Sequence, residues 1–350
     1  MRLHQHEDFA AFVTAAAAES ELSEPFVEKD YWITEILRTV ADTLGDRAIF
    51  KGGTSLSKGW NLIDRFSEDV DLFVNPAVEP TLASPRAIDK VLKQLNQDVA
   101  SIPGLDFIRD DSRTFGGFGR DDVFRYESRY SAVLNFPPTV LLEAGIQSGH
   151  QPIEEIAISS IVGRMLTDRG VAGDLGVDGL QPFQMTLLHF RRTFVEKLFA
   201  IHGKIERLKQ DGHPLGRDAR HYADLYVLAG EEEVLAMLAS PEYGEIKADY
   251  DRTSRKYFPK SYRPPDGLRF GSSDALFPPD DLRAVIEPIY ENECQRLFFR
   301  PHPPFSEVLD RLATSATRSD LAGRPLATDG RQVGVTEVLG DEALAAGRLT

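Results

Sequence analysis

With 350 residues, the chain is long enough to bury a sizeable core as two domains or as one large α/β domain with a helical extension. Its 42% hydrophobic and 27% charged residues fit an ordinary globular protein. No apolar stretch approaches the roughly 20 residues of a membrane helix, and the N-terminus lacks the basic start and apolar centre of a secretion signal, so we expect a cytoplasmic protein without membrane contact. The single cysteine, Cys294, excludes an intrachain disulfide framework, and a net charge of −15 excludes attraction of the whole surface to nucleic acid; any RNA or nucleotide site must be a local basic patch or act through bound cations.

Residues 5–21 and 26–44 read as helices, the second with Phe26, Ile33, Ile36, Leu37 and Val40 near a helical repeat and Gly45 as a stop. A short strand at 48–50, a glycine turn, a short helix around 55–60 and a second strand at 70–74 follow. An amphipathic helix, "SPRAIDKVLKQLNQDVASI", leads to predicted strands at 105–108, 123–134 and 139–146. Strands that follow one another without helices imply a partly antiparallel sheet. From about residue 150 the pattern turns helical, most clearly over 182–210 and 217–229. Residues 241–280, rich in Pro, Gly, Tyr and Arg, read as loop, and a helix is expected at about 279–298. The fold class expected is α+β: a core over 1–150, a mainly helical part over 151–325 and a weakly ordered tail over 326–350.

The stretch "FKGGTSLSKGWNLIDRFSEDVDLFV", residues 50–74, carries the chemistry. In a strand, residues two apart share a face, so Asp69 and Asp71 present paired carboxylates while Val70 and Leu72 face the core. Two adjacent anions repel unless a cation lies between them, and Mg²⁺ prefers such oxygens. Upstream, Lys51, Gly52, Gly53, Thr54 and Ser55 form a strand-to-helix turn where the backbone can approach a phosphate, with Ser67 close by in sequence to the aspartates. A triphosphate cradle beside a metal site suggests nucleotidyl transfer. Glu143, the acidic residue of the predicted strand 139–146, is the candidate third metal ligand or the base.

"GGTSLSKGW" followed by "DRFSEDVDLFV", with "VEKDYWITEIL" upstream and "FVEKLFAIH" and "RHYADLYVL" downstream, resembles the AbiEii-type nucleotidyltransferase toxins of the DNA-polymerase-β-like superfamily. These toxins belong to bacterial toxin–antitoxin and phage-defence systems. The resemblance implies a polymerase-β-like nucleotidyltransferase core with a mixed sheet, a helical C-terminal part, and an antitoxin from an adjacent gene that restrains the toxin without a tight complex. It further implies that Gly53, Thr54 and Ser55 line the phosphate turn and that Asp69 and Asp71 bind metal. Lys197 would bind nucleotide phosphate, and Asp224 would complete the site. The gap from Gly53 to Asp69 is longer than is usual in the superfamily, and the resemblance ends near residue 230. Read without the family, Lys197 could pair with neighbouring glutamates and Asp224 with Arg220.

Residues 252–270, "RTSRKYFPKSYRPPDGLRF", set Arg255, Lys256, Lys260 and Arg263 among tyrosines and phenylalanines, a composition suited to unpaired RNA. No H-E-x-x-H, Walker A or G-x-S-x-G motif occurs, and "GGFG" at 116–119 lacks the context of a dinucleotide site. The expected reaction is Mg²⁺-dependent transfer of an NMP from an NTP to RNA, foremost the 3′ end of tRNA. The alternatives are nucleotidylation of a protein or small-molecule hydroxyl, and a nucleotide-binding module without turnover.

Overall fold

The computed structural model describes residues 1–322 except Phe66, Glu68 and 131–135, with side chains up to residue 315. The tail expected over 326–350 and the end of the strand expected over 123–134 lie outside the described residues.

Helices α1 (Phe9–Ser20) and α2 (Glu24–Leu44) open the chain, and α2 buries Val27, Tyr31, Ile33, Ile36, Leu37 and Val40. Strand β1 (Ala48–Lys51) passes through a helical turn, Gly52–Thr54, and a π-helical turn, Ser55–Gly59, before β2 (Asp69–Val74). Helix α3 (Pro85–Ala100) is capped by Ser84, whose hydroxyl accepts from the Ala87 amide. Strands β3 (Leu105–Phe115), β4 (Gly119–Tyr126), β5 (Thr139–Gly145) and β6 (Ile153–Ile158) follow, then α4 (Ile161–Asp168) and β7 (Phe183–Leu188).

The described strands form one mixed seven-stranded sheet, ordered β3-β4-β5-β2-β1-β7-β6. Parallel pairs join β2 to β5 and β1 to β7, and the other pairs are antiparallel. Alternation along β2 sends Val70, Leu72 and Val74 into a core shared with α1, α2 and α3, which leaves Asp69 and Asp71 on the opposite face.

Three segments differ from the sequence reading. Residues 153–158, in the part expected to be helical, form β6, paired antiparallel with β7. Residues 183–188, expected at the start of a helix, form β7, which pairs in parallel with the short β1 through Phe50 and Leu187. The run is apolar enough to fit either period, and His189 ends it by capping the long helix α5 (Phe190–Asp211). Residues 241–257, expected as loop, form helix α8, described below; Ser240 caps it and Pro241 occupies the first turn, where a missing N–H does no harm. The remaining helices are α6 (His221–Leu228), α7 (Glu232–Leu238), α8 (Pro241–Tyr257), α9 (Asp280–Leu297) and α10 (Phe305–Ala322). They pack with α5 around a second apolar core that also takes in Leu56 and Ile63 from the segment linking β1 to β2.

Candidate active site

Gly52 has φ +77°, and a Cβ there would lie 1.9 Å from Oδ2 of Asp71. Only glycine lets the turn sit this close to the aspartate. The next residue is confined as well, since a Cβ on Gly53 would meet Nη2 of Arg65 at 2.7 Å and Oγ of Ser67 at 2.9 Å. Thr54 fastens the turn to β2 by donating its hydroxyl to the carbonyl of Asp69, and the Ser55 hydroxyl closes back on the carbonyl of Gly52 at 2.9 Å. At the far end of the turn, Trp60 donates its indole N–H to the Leu188 carbonyl at 3.2 Å and packs on His189 and Phe190. The turn is thereby held between β2 and the start of α5.

Strand register lines up the charged groups. Lys51 lies opposite Asp71, Asp71 opposite Glu143, Glu143 opposite Asp121, and Asp121 opposite Arg113. Residues directly opposite share a face, so three carboxylates stand side by side with a cation at each end of the row. Burial, followed by the charges of Asp71 and Asp121, pushes the Glu143 carboxyl up to about 8, and Glu143 shares a hydrogen bond with Asp71. Burial also raises Asp69, with Arg220 opposing.

The opposite wall is cationic. Asp224 is fully buried on α6; Arg65 donates to its two oxygens at 2.6 and 2.7 Å, and Lys197 of α5 lies 2.8 Å away. Burial works against the charge on Asp224, but Arg65 and then Lys197 hold its carboxyl well below the usual range. Burial, then Lys197, lowers His221 to about 4, so its neutral ring accepts a hydrogen bond from Lys197 at 3.1 Å. Lys197 is thus paired with Asp224 rather than with a neighbouring glutamate, and Asp224 pairs with Arg65 and Lys197 rather than with Arg220. Arg220 reaches the other way, to Asp69 at 3.3 Å. Its Nε and Nη1, and Oγ1 of Thr193, are buried with no hydrogen-bond partner among the described residues. Such orphaned donors at a cavity fit an anionic ligand.

Between the walls lies a cavity of about 400 Å³. Lys51, Gly52, Gly53, Ser67, Asp69, Asp71, Glu143 and Lys197 line it; Thr54 and Ser55 are buried behind the turn, and Asp224 is buried behind Arg65 and Lys197. Arg65, Arg220 and Asp121 were missed in the sequence. Arg65 gains its place only through burial against Asp224 of α6 and Arg220 only through its reach to Asp69 of β2, and Asp121 sits among balancing charges that hide its place in the row. Helix α8 closes the cavity with Tyr250, Thr253, Ser254 and, just past its end, Phe258. Arg255, on the outer side of α8, pairs with Asp251 at 2.8 Å; Lys256 lies over the Tyr257 ring, and Arg263 donates to the Lys260 carbonyl. None of the four basic residues named as RNA contacts, Arg255, Lys256, Lys260 and Arg263, lines the cavity.

The oxygen donors of Asp69, Asp71 and Glu143 suit a hard divalent cation, and the rise at Glu143 comes first from burial and then from the adjacent carboxylate charge, the part that a cation would balance. The three are brought to one face but not drawn together: Asp69 is engaged by Arg220 and Asp71 by Lys51. Among the described residues, no three His, Cys, Asp or Glu side chains converge to hold a metal ion as they stand.

The family described as "Nucleotidyl transferase AbiEii toxin, Type IV TA system" matches residues 35–311 and so extends past residue 230, where the sequence blocks run out. Among solved structures, the chain is similar to MenT4, a nucleotidyltransferase toxin from Mycobacterium tuberculosis H37Rv, with a TM-score of 0.53 and 14% identity over 89% of each chain. That likeness is one of fold. No curated protein matches the chain in sequence, and among the described residues no helix is long and apolar enough to cross a membrane.

Proposed function

This chain belongs to the AbiEii family of nucleotidyltransferase toxins of type IV toxin–antitoxin systems, and we propose that it transfers an NMP from an NTP, with Mg²⁺, to the 3′ end of an RNA, foremost tRNA. Translation and growth would stop, as a toxin or phage-defence role requires, and an antitoxin encoded nearby would restrain it without a tight complex. The observation that carries this reading is the facing of the two walls: a row of carboxylates across a cavity from buried cations, with unpartnered donors on Arg220 between them.

In this reading, backbone N–H groups at the start of the turn, Gly52–Thr54, together with Lys197 and Arg220, hold the phosphates. Asp69 and Asp71, with Glu143 beside them, would hold Mg²⁺, which when bound balances phosphate charge and lowers the pKa of the attacking hydroxyl. Glu143 takes the proton from that hydroxyl once the surrounding negative charge is balanced. The bond from the acceptor oxygen to the α-phosphorus forms as the bond to pyrophosphate breaks, and pyrophosphate leaves toward the glycine turn and Lys197. Asp224 keeps Lys197 and Arg65 charged and aimed, and so acts as a positioning residue.

The test is to add each α-labelled NTP with Mg²⁺ to a lysate and to separate RNA from protein. We expect label on RNA that disappears with Asp69→Asn or Asp71→Asn. Label on protein with none on RNA would replace the RNA acceptor by a protein hydroxyl.

A further inference from the structure

The glycine-rich stretch at 115–119 forms the tip of the β3–β4 hairpin, where Phe115 pairs with Gly119 and the turn runs through Gly116 (φ +56°) and Gly117 (φ +78°). The tip is pinned on two sides. Phe118 rests against Tyr257 at the end of α8, ring centroids 6.2 Å apart, and its carbonyl accepts from the Ile146 amide at 3.0 Å. The hairpin therefore meets α8 across the open end of the carboxylate row. Beneath this bridge lies a smaller cavity of about 180 Å³, which shares Lys51, Asp71, Glu143 and Phe258 with the main one and continues it past Asp121.

Two phenylalanines at this end are not buried. Phe115 is 43% exposed and Phe258 is 40% exposed, and both line the smaller cavity. A single exposed phenylalanine on a surface needs no explanation, but two from separate elements on one cavity do. Flat apolar rings beside a cationic rim suit an unpaired nucleobase, which stacks on aromatic faces whatever its identity. Cations are close in sequence: Arg252 and Arg255 of α8 have side chains 72% and 62% exposed, though paired with Asp249 and Asp251, and Lys260 and Arg263 follow Phe258 along the chain.

We infer that Phe115 and Phe258 clasp the terminal base of the RNA acceptor and so present its 3′ hydroxyl to the carboxylate row. This rests on the RNA reading above. It assigns the base to the acceptor because in-line transfer sets the attacking 3′ hydroxyl on the side of the α-phosphorus away from the departing pyrophosphate. Pyrophosphate departs toward the glycine turn and Lys197, while Phe115 lies at the Asp121 end of the row, past Glu143, the proton acceptor, and Phe258 stands where the two cavities join.

The experiment measures steady-state transfer to tRNA by the full-length protein, wild type against Phe115→Ala, Phe258→Ala and the double variant, with Phe258→Trp as the conservative change. Each alanine variant is expected to raise the KM for RNA about tenfold or more, as loss of one stacking partner does, and to leave the KM for NTP and the melting temperature unchanged. Phe258→Trp should retain the wild-type KM. An RNA with an abasic 3′ nucleotide should be a similarly poorer acceptor for the wild type and lose nothing further with the double variant. An unchanged KM for RNA in the alanine variants, with transfer intact, would overturn the clasp and leave the RNA reading standing. A raised KM for NTP alone would move the base to the nucleotide and overturn it as well. If the wild type labels no RNA at all, the RNA reading fails and the clasp fails with it.

Discussion

Gly52 shows how closely the chemistry constrains single residues, for its left-handed backbone and the 1.9 Å approach of a Cβ to Asp71 leave no room for a side chain. Gly52→Ala is expected to cost about 1–3 kcal/mol in stability, readable as a lower melting temperature, and to abolish transfer by displacing Asp71. Asp71→Asn should behave differently. Relief of repulsion from Asp69 is set against loss of the Lys51 pair, so the melting temperature should change little, and transfer should fall at least about 100-fold. Glu143 gives a pH signature. An unfolded glutamate titrates near 4.5 and Glu143 is pushed up to about 8, so between these values the folded protein without a bound cation holds a proton that the unfolded chain lacks. That stabilisation is complete below about 4.5 and lost as pH rises through about 8. The melting temperature should therefore fall from about pH 6 to about pH 9, and Glu143→Gln should flatten the fall. A slope equally steep in the variant would contradict the placement of that proton.

Among the elements, Asp224 acts as a junction: on α6 it ties Lys197 of α5 to Arg65 of the segment between β1 and β2. Asp224→Ala would strand two buried cations and is expected to lower stability by about 3–5 kcal/mol in denaturant unfolding, far more than a surface ion pair. Helix α8 is held beside the cavity by Arg192, which donates to Asp249 at 2.7 Å, and by Tyr250 stacked on Phe199. The sequence carried the α-α-β-turn-α-β order through its helical repeats and glycine turn, and the alternation in "DVDLFV" carried the sharing of one face by Asp69 and Asp71. Helix α8 was hidden because Tyr243 and Ile246 are its only buried large apolar residues and the Pro-rich stretch beyond masks its end. Strand β7 was hidden because Phe183 and Leu187 also satisfy a helical spacing. Arg220 could not be placed from its neighbours, since its partner Asp69 lies in another element.

Across the whole molecule, the net charge of −15 opposes RNA, so in the proposed reading the local cations of residues 252–263 would supply the attraction. Replacing Arg255, Lys256 and Lys260 with glutamine should weaken RNA use and flatten its dependence on salt, with NTP affinity unchanged by calorimetry. The central claim, transfer of a nucleotide to an RNA 3′ hydroxyl, is tested most directly with purified protein, total tRNA, Mg²⁺ and each α-labelled NTP in turn. A parallel sample uses tRNA whose 3′ hydroxyls have been removed by periodate oxidation. Label on intact tRNA, absent from oxidised tRNA and from the Asp69→Asn variant, is the predicted result. Binding of NTP with no label on intact tRNA, or equal label on oxidised tRNA, would contradict the account.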